Sequence, residues 1–329
     1  MRKCLFAVVA ALVALTTFIA ATGGLSAGVE PVGAEEAEEL LAAVRLASDA
    51  AASRVSRSAG TVRVHEWIWR ATGEVLETET VYAVALAGEK FKAAVTTTYV
   101  TNEWTPAHPG AGFNAPGTVQ RGEIAYDGEK ITSYEPDRNR AEISRLESDA
   151  GRQLKLTRVV VMSPGHGVPE LKQVALPPGY EWDEPRVVGR EVVDGEECIV
   201  YNSSYTGSGS DGAEVTYYNV MWLNPQRACT LSKGESGIRA GRFGEGVLLT
   251  QAETETRQYA EGLWGVREVR QTQYALDDSG TRYRQRYAVT TFAEDYQLKA
   301  PVTEEMLTID VPSGTKVYDE LIDAEYTVP

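Results

Sequence analysis

The sequence predicts a mainly β, antiparallel protein with one long helix near its N-terminus, and three stretches carry that expectation. Residues 194–232, DGEECIVYNSSYTGSGSDGAEVTYYNVMWLNPQRACTLS, hold three runs rich in Val, Ile, Thr, Tyr and Trp, parted by clusters of Gly, Ser, Asp, Asn and Pro. Residues 60–101 repeat that pattern as a three-strand meander, and clear helical spacing occurs at residues 35–57. The middle run of the first stretch, residues 214–223, is the most demanding. Val215, Tyr217, Asn219, Met221 and Leu223 fall on one side, and Thr216, Tyr218, Val220 and Trp222 on the other. Both sides are largely apolar, so the second must be covered by a helix, by another sheet layer or by a bound apolar molecule.

The chain opens on Met1-Arg2-Lys3, followed by an apolar run over residues 5–21 and small residues at Gly23, Gly24, Ser26 and Ala27. That order is expected of a secretory signal peptide, residues 1–27, cleaved after Ala27; the plainer alternative is an uncleaved anchor. Cys4 precedes the apolar run, whereas a lipid-attachment cysteine would follow it, so the expectation is an exported protein that is not a lipoprotein. Removing residues 1–27 leaves 30 basic against 47 acidic side chains, a formal charge of −17. Such a charge argues against nucleic acid as a partner and suits a freely soluble chain. Residues 28–329 then read as a single domain large enough for a sizeable core. Two cysteines remain, Cys198 and Cys229. Counting back from the turn at residues 207–212 puts Cys198 opposite Met221 and Cys229 opposite Trp222, with the middle strand between the two sulfurs, a poor geometry for a disulfide.

The helix comes first. Leu40, Val44, Ala47, Ala51 and Val55 form one apolar stripe, and Glu35, Glu36, Glu38 and Glu39 sit at the positive end of the helix dipole. Its apolar side needs a large surface, for which the sheet that follows is the expected partner. In the meander, Leu76, Thr78, Thr80, Tyr82, Val84 and Leu86 share a face of the second strand, and Phe91, Ala93, Val95, Thr97 and Tyr99 share one of the third. In the first strand Val62 and Val64 lie opposite to Trp67 and Trp69, which asks for either a bulge near His65 or two covered faces. Residues 102–118 form a Pro- and Gly-rich loop whose Trp104 and Phe113 need somewhere to go. Strands are expected at 123–126 and 131–134 around the Asp127-Gly128-Glu129 turn, at 186–193, 246–259, 264–276 and 282–292, and at the end of the chain at 326–328. Residues 141–162 read as partly helical, partly extended, and residues 307–317 as an extended C-terminal piece.

Several phrases, in their order, resemble the bacterial lipoprotein-carrier superfamily: Ala125-Tyr126-Asp127-Gly128-Glu129-Lys130 leading to Tyr134; Gly189-Arg190-Glu191 with Asp194-Gly195-Glu196-Glu197-Cys198; Met221-Trp222-Leu223-Asn224-Pro225; and Val311-Pro312-Ser313-Gly314-Thr315. The superfamily includes the LolA and LolB carriers, mycobacterial lipid-binding lipoproteins and the envelope-stress sensor RseB. The resemblance implies a strongly curved, unclosed half-barrel over residues 60–329, a helical or loop lid, and a hollow that accepts acyl chains. The implied partner is a lipid, an acyl chain or a lipoprotein. An RseB-like sensor that binds a polypeptide by edge-strand addition, with an envelope protein as partner, is the alternative.

The residues offer little for catalysis. His65, His108 and His166 lack metal-ligand spacing, and no serine lies in a G-x-S-x-G elbow. Gly207-Ser208-Gly209-Ser210-Asp211-Gly212 matches G-x-G-x-x-G, but a strand rather than a helix follows it, so no dipole meets a phosphate. The expectation is a non-enzyme without metal or cofactor. The aromatics Trp67, Trp69, Tyr82, Phe91, Tyr99, Tyr217 and Trp222, with Trp104 and Phe113 of the loop, are the candidate ligand-binding residues. Strand aromatics fill cores more often than they line pockets, so both roles are open for each.

Overall fold

The computed structural model describes residues 28–54, 57–104, 114–145, 181–182, 186–208, 214–239, 247–277 and 280–329. The signal-peptide stretch and Phe113, His108 and His166 lie outside the described residues. The described chain forms two compact units. The first holds residues 54–145 and 289–329, the second residues 28–53 and 181–288.

The first unit is built on β1 (Arg57–Trp69), β2 (Val75–Ala87) and β3 (Lys90–Asn102), the expected meander. Tight turns at 70–74 and 88–89 join them, with Gly73 and Gly88 at positive φ; the β1–β2 pairing is unbroken, and the β2–β3 pairing shifts register once, between Glu77 and Thr78. β4 (Val119–Tyr126), β5 (Ile131–Glu135) and β6 (Arg140–Ser144) extend the ladder antiparallel from β3. Three late strands complete it: β15 (Gln297–Leu298) pairs with β1, and β16 (Lys316–Asp319) runs parallel to β6 while pairing antiparallel with β17 (Ala324–Thr327). The ladder β15–β1–β2–β3–β4–β5–β6–β16–β17 is thus antiparallel except at β6–β16. β6 occupies the start of the stretch expected to be partly helical; its Ala141 is buried and pairs with Tyr134, which holds it extended.

The second unit pairs β8 (Arg186–Val193), β9 (Glu196–Ser208), β10 (Glu214–Asn224), β11 (Thr230–Arg239), β12 (Val247–Ala260) and β13 (Leu263–Leu276) in chain order, every neighbour antiparallel. β7 (Glu181–Trp182) also pairs with β9. β14 (Arg282–Phe292) follows, and the division between units falls within it, after Ala288. Helix α1 (Ala34–Arg54) lies on this sheet, with Val44 packed among Val187, Ile199, Tyr201, Met221, Leu223 and Cys229, and Leu40, Leu41 and Ala47 beside it. The helix therefore covers β8–β11, strands distant in sequence, because those strands present the apolar side that its stripe requires.

An extra segment holds the helix start. Glu30 and Arg190 exchange backbone hydrogen bonds at 2.8 and 2.9 Å, while the Arg190 guanidinium donates to Glu36 and Glu197. Gly189 makes this possible, since a Cβ there would lie 2.4 Å from the Glu30 carbonyl oxygen.

Candidate functional site

Direct cross-strand pairs share a face, so the register assigns every candidate side chain in the first unit. The pairing of β1 with β2 runs unbroken from Arg57↔Ala87 to Trp69↔Val75, so there is no bulge at His65. Val62, Tyr82 and Val95 stand in one row, with Leu86, Phe91 and Tyr126 in another on the same face. Trp67 and Trp69 are on the reverse face. A single hollow on this sheet cannot be lined by both sets.

The Val62 face is graded. At one end Ser58, Leu86, Phe91 and Ile131 are sealed, each at 0–1 % exposure. The seal comes from the segment after β14: Tyr296 donates its hydroxyl hydrogen to Ser58 Oγ at 3.1 Å and stacks edge-on with Phe292. Its backbone passes directly over Gly60, where a Cβ would sit 2.3 Å from the Tyr296 Cα and where φ is +140°. Glycine is required there on both counts. Toward the other end Val64, Ile68, Leu76, Tyr82, Val95 and Tyr99 are only half-buried. The apolar side chains there are interspersed with Glu66, Thr78, Thr80 and Thr97 on the same face, and Thr78 is itself buried, so this end is a mixed, half-covered surface. Tyr99 donates to Gln120 Oε1 at 3.2 Å, and partial burial raises its phenol pKa above the ordinary value.

The reverse face differs. Near β15 it is covered by the C-terminal segment: Ala85 packs on Ala300, Val302 and Leu307, and Tyr134, Ala141 and Val317 on Ile309 and Val311. At its far end His65 stacks on Trp67 with ring centroids 3.8 Å apart and bonds Glu77 Oε1 through Nε2 at 2.8 Å, while Thr101 Oγ1 donates to the other Glu77 oxygen. Trp69 is half-buried on the same side. Trp104 is fixed at the loop base: its indole Nε1–H donates to the Glu74 carbonyl and the Arg70 guanidinium lies 4.8 Å over its ring.

In the second unit the two remaining candidates are again on opposite faces. Tyr217 lies on the helix-covered face, stacked on Tyr205 at 4.7 Å. Trp222 lies on the other, 2 % exposed, with its indole N–H donated to Glu191 Oε2 at 2.7 Å and the Lys233 ammonium 4.2 Å over the ring. It packs with Cys198, Val200 and Val220 as core.

The cysteines follow the same division. Met221 faces Tyr201 rather than Cys198, because β9 continues through Gly207 and Ser208 into the expected turn while β10 begins only at Glu214, which shifts the register. Cys198 belongs to the Trp222 side and Cys229 to the helix side, both as free thiols, and burial raises both pKa values. Among the described residues no group of three or more His, Cys, Asp or Glu is placed to hold a metal ion, and no helix is long and apolar enough to cross a membrane. A strand, β10, follows the glycine-rich turn.

One set of side chains escaped sequence reasoning. On the helix-covered face, Ser203, Asn219, Ser236, Thr250 and Gln273 oppose one another strand by strand, a polar row in which all but Asn219 are fully buried. The adjoining row is Tyr201, Met221, Gly234, Ala252 and Gln271. Two glutamines spaced i, i+2 in Arg270-Gln271-Thr272-Gln273 were the available signal, since both must face the same way.

No family model matches the chain, and no curated protein matches it. Among solved structures it is similar to a DUF1329 family protein from Desulfovibrio piger, at 12% identity and a TM-score of 0.38, covering 82% of this chain and 96% of that one. It is also similar to a putative outer membrane lipoprotein-sorting protein domain from Vibrio parahaemolyticus, at 11% identity and a TM-score of 0.38, covering 84% and 97%. A LolA superfamily protein from Nitrosomonas europaea matches at 14% identity and a TM-score of 0.36, covering 80% and 97%. Scores below 0.5 mark a loose likeness, and no ligand or partner passes from these proteins to this chain.

Proposed function

We propose that the chain is an exported, non-catalytic binding protein that holds a lipid or acylated ligand against the Val62 face of its N-terminal sheet, which curls as an open half-barrel. The observation that carries this reading is the graded burial of that face. Phe292 and Tyr296 plug one end at Gly60, and beyond them the apolar side chains of Val64, Ile68, Leu76, Tyr82, Val95 and Tyr99 stay half-covered, interspersed with Glu66, Thr78, Thr80 and Thr97. The order of carrier-like sequence phrases supports it independently. Tyr82, Phe91 and Tyr99 share the proposed site, Phe91 as its sealed floor. Affinity would come from removing methylenes from water, about 0.8 kcal/mol each.

The test is native mass spectrometry of the protein purified from a membrane-containing host, paired with uptake of a fluorescent fatty acid. A lipid adduct and saturable uptake are expected. Absence of both overturns the reading. A co-purified envelope polypeptide without lipid would favour the sensor alternative, for which β17, paired on one side with β16 and carrying the exposed Tyr326, offers an edge.

A further inference from the structure

The ladder of the first unit ends on an open strand. Among the described residues β17 pairs with β16 alone, without a register shift. Val328 donates its amide hydrogen to the Thr315 carbonyl at 2.9 Å, while Lys316 donates on the other side of β16, to the Asn139 carbonyl at 3.2 Å. Bonded and non-bonded pairs alternate in an antiparallel ladder, so Ala324 and Tyr326 turn their amides and carbonyls toward β16, and Glu325 and Thr327 turn theirs outward. Glu325, Tyr326 and Thr327 are all exposed, Tyr326 at 43 %. An edge of this kind is commonly blunted by a lysine, a proline or a bulge, and residues 324–327 have none of these. In the second unit, by contrast, the open side of β8 is met by the Glu30 backbone at Arg190.

The pattern of the edge selects its occupant. Paired with itself about a two-fold axis at Tyr326, β17 sets Glu325 opposite Thr327 of the second copy, and both outward residues of each strand exchange their bonds, four in all. The neighbouring symmetric registers are worse. An axis at Glu325 opposes two carboxylates, and one at Ala324 sets Asp323 against Glu325. An axis at Thr327 places Glu325 opposite Pro329, which has no N–H. The side chains agree with the Tyr326 register. Tyr326 shares a face with Val317, which is buried with Ile309, Val311 and Val328. Across the axis Tyr326 meets its own copy and Ala324 meets Val328, so that apolar side continues from one chain into the next.

We propose that two copies of this chain join β17 to β17, antiparallel about a two-fold axis at Tyr326. This surface is separate from the proposed ligand-binding face and does not depend on it.

Sedimentation equilibrium of the purified protein tests it, with Thr327→Pro and Tyr326→Cys beside the wild type. Thr327→Pro removes an outward N–H that the β16–β17 ladder does not use, and an unchanged circular dichroism spectrum confirms its fold. So short an edge should give a weak dimer, with a dissociation constant on the order of 10–100 μM. Salt should tighten it, because each copy carries a formal charge of −15. Thr327→Pro should weaken it at least about tenfold. Tyr326→Cys should form an intermolecular disulfide on mild oxidation, since a non-hydrogen-bonded pair brings its Cα atoms to about 4.5 Å, within disulfide reach. A wild type that stays monomeric, a dimer that Thr327→Pro leaves intact, or a Tyr326→Cys variant that does not crosslink overturns the proposal. A monomer that binds a foreign extended polypeptide along β17 overturns it too, and gives the edge to the sensor alternative.

Discussion

The Trp222 indole N–H reaches past β9 to donate to Glu191 Oε2 at 2.7 Å, tying β10 to β8 through side chains. The bond lies in a core of Cys198, Val200 and Val220, where an unmet donor is costly. Glu191→Ala should therefore destabilise the protein by about 2 kcal/mol, and Glu191→Gln, which keeps an acceptor, by less than half of that. Urea midpoints of the three proteins decide it; equal midpoints would show that the bond contributes nothing.

Two glycines on β11 make opposite demands. At Gly237 a Cβ would meet the Val247 carbonyl oxygen at 2.2 Å and the Tyr218 ring at 2.7 Å, so Gly237→Ala should cost more than about 2 kcal/mol. At Gly234 the nearest atom is 3.8 Å away and no positive φ is needed, so Gly234→Ala should be neutral or stabilising by up to about 1 kcal/mol. Thermal unfolding of the pair is the check, and a loss at Gly234 equal to that at Gly237 would contradict it.

Asp127 shapes the β4–β5 turn by accepting the Glu129 and Lys130 amide hydrogens, both at 2.9 Å. Partial burial pushes its pKa up, but these bonds and the Lys130 charge outweigh that and hold it below the ordinary carboxylate value. A depressed pKa gives stability that is full above the unfolded value of about 4 and is lost as pH falls through the folded one. Wild type should exceed Asp127→Asn in urea midpoint at pH 7, with the gap closing below pH ~4. A gap independent of pH would sink this.

Val44 is the buried anchor of α1 at 1 % exposure. Val44→Ala should cost about 1–3 kcal/mol through lost contact and the cavity left among Ile199, Tyr201 and Met221. Chemical denaturation measures this, and a change below about 0.5 kcal/mol would mean that the helix is not docked there.

The elements with strict periodicity were legible in the sequence. The stripe of Leu40, Val44 and Ala47 and the alternation of Leu76 to Leu86 are local patterns set by helix and strand geometry, and both hold. What failed to show was non-local. Trp67 and Trp69 are separated from Tyr82 by the unbroken β1–β2 register, and from Tyr99 by a β2–β3 pairing that shifts between Glu77 and Thr78, none of which composition can reveal. The Cys198 position depended on how far β9 and β10 continue, and residues 207 and 208 stay in the ladder despite their turn-like character. The parallel β16–β6 contact joins segments far apart in the chain, and the Arg286–Gln271 hydrogen bond likewise joins two different strands.

The decisive measurement is fatty-acid binding by wild type and Val95→Glu, with unfolding temperature recorded for each. Val95 faces Tyr82 midway along the half-covered surface, so a carboxylate there spoils apolar contact without entering the sealed end. Saturable binding by the wild type, weakened at least about tenfold in a variant that still unfolds cooperatively, is the expected result. A wild type that takes up no acyl chain, or a variant that binds as well as the wild type, would contradict it.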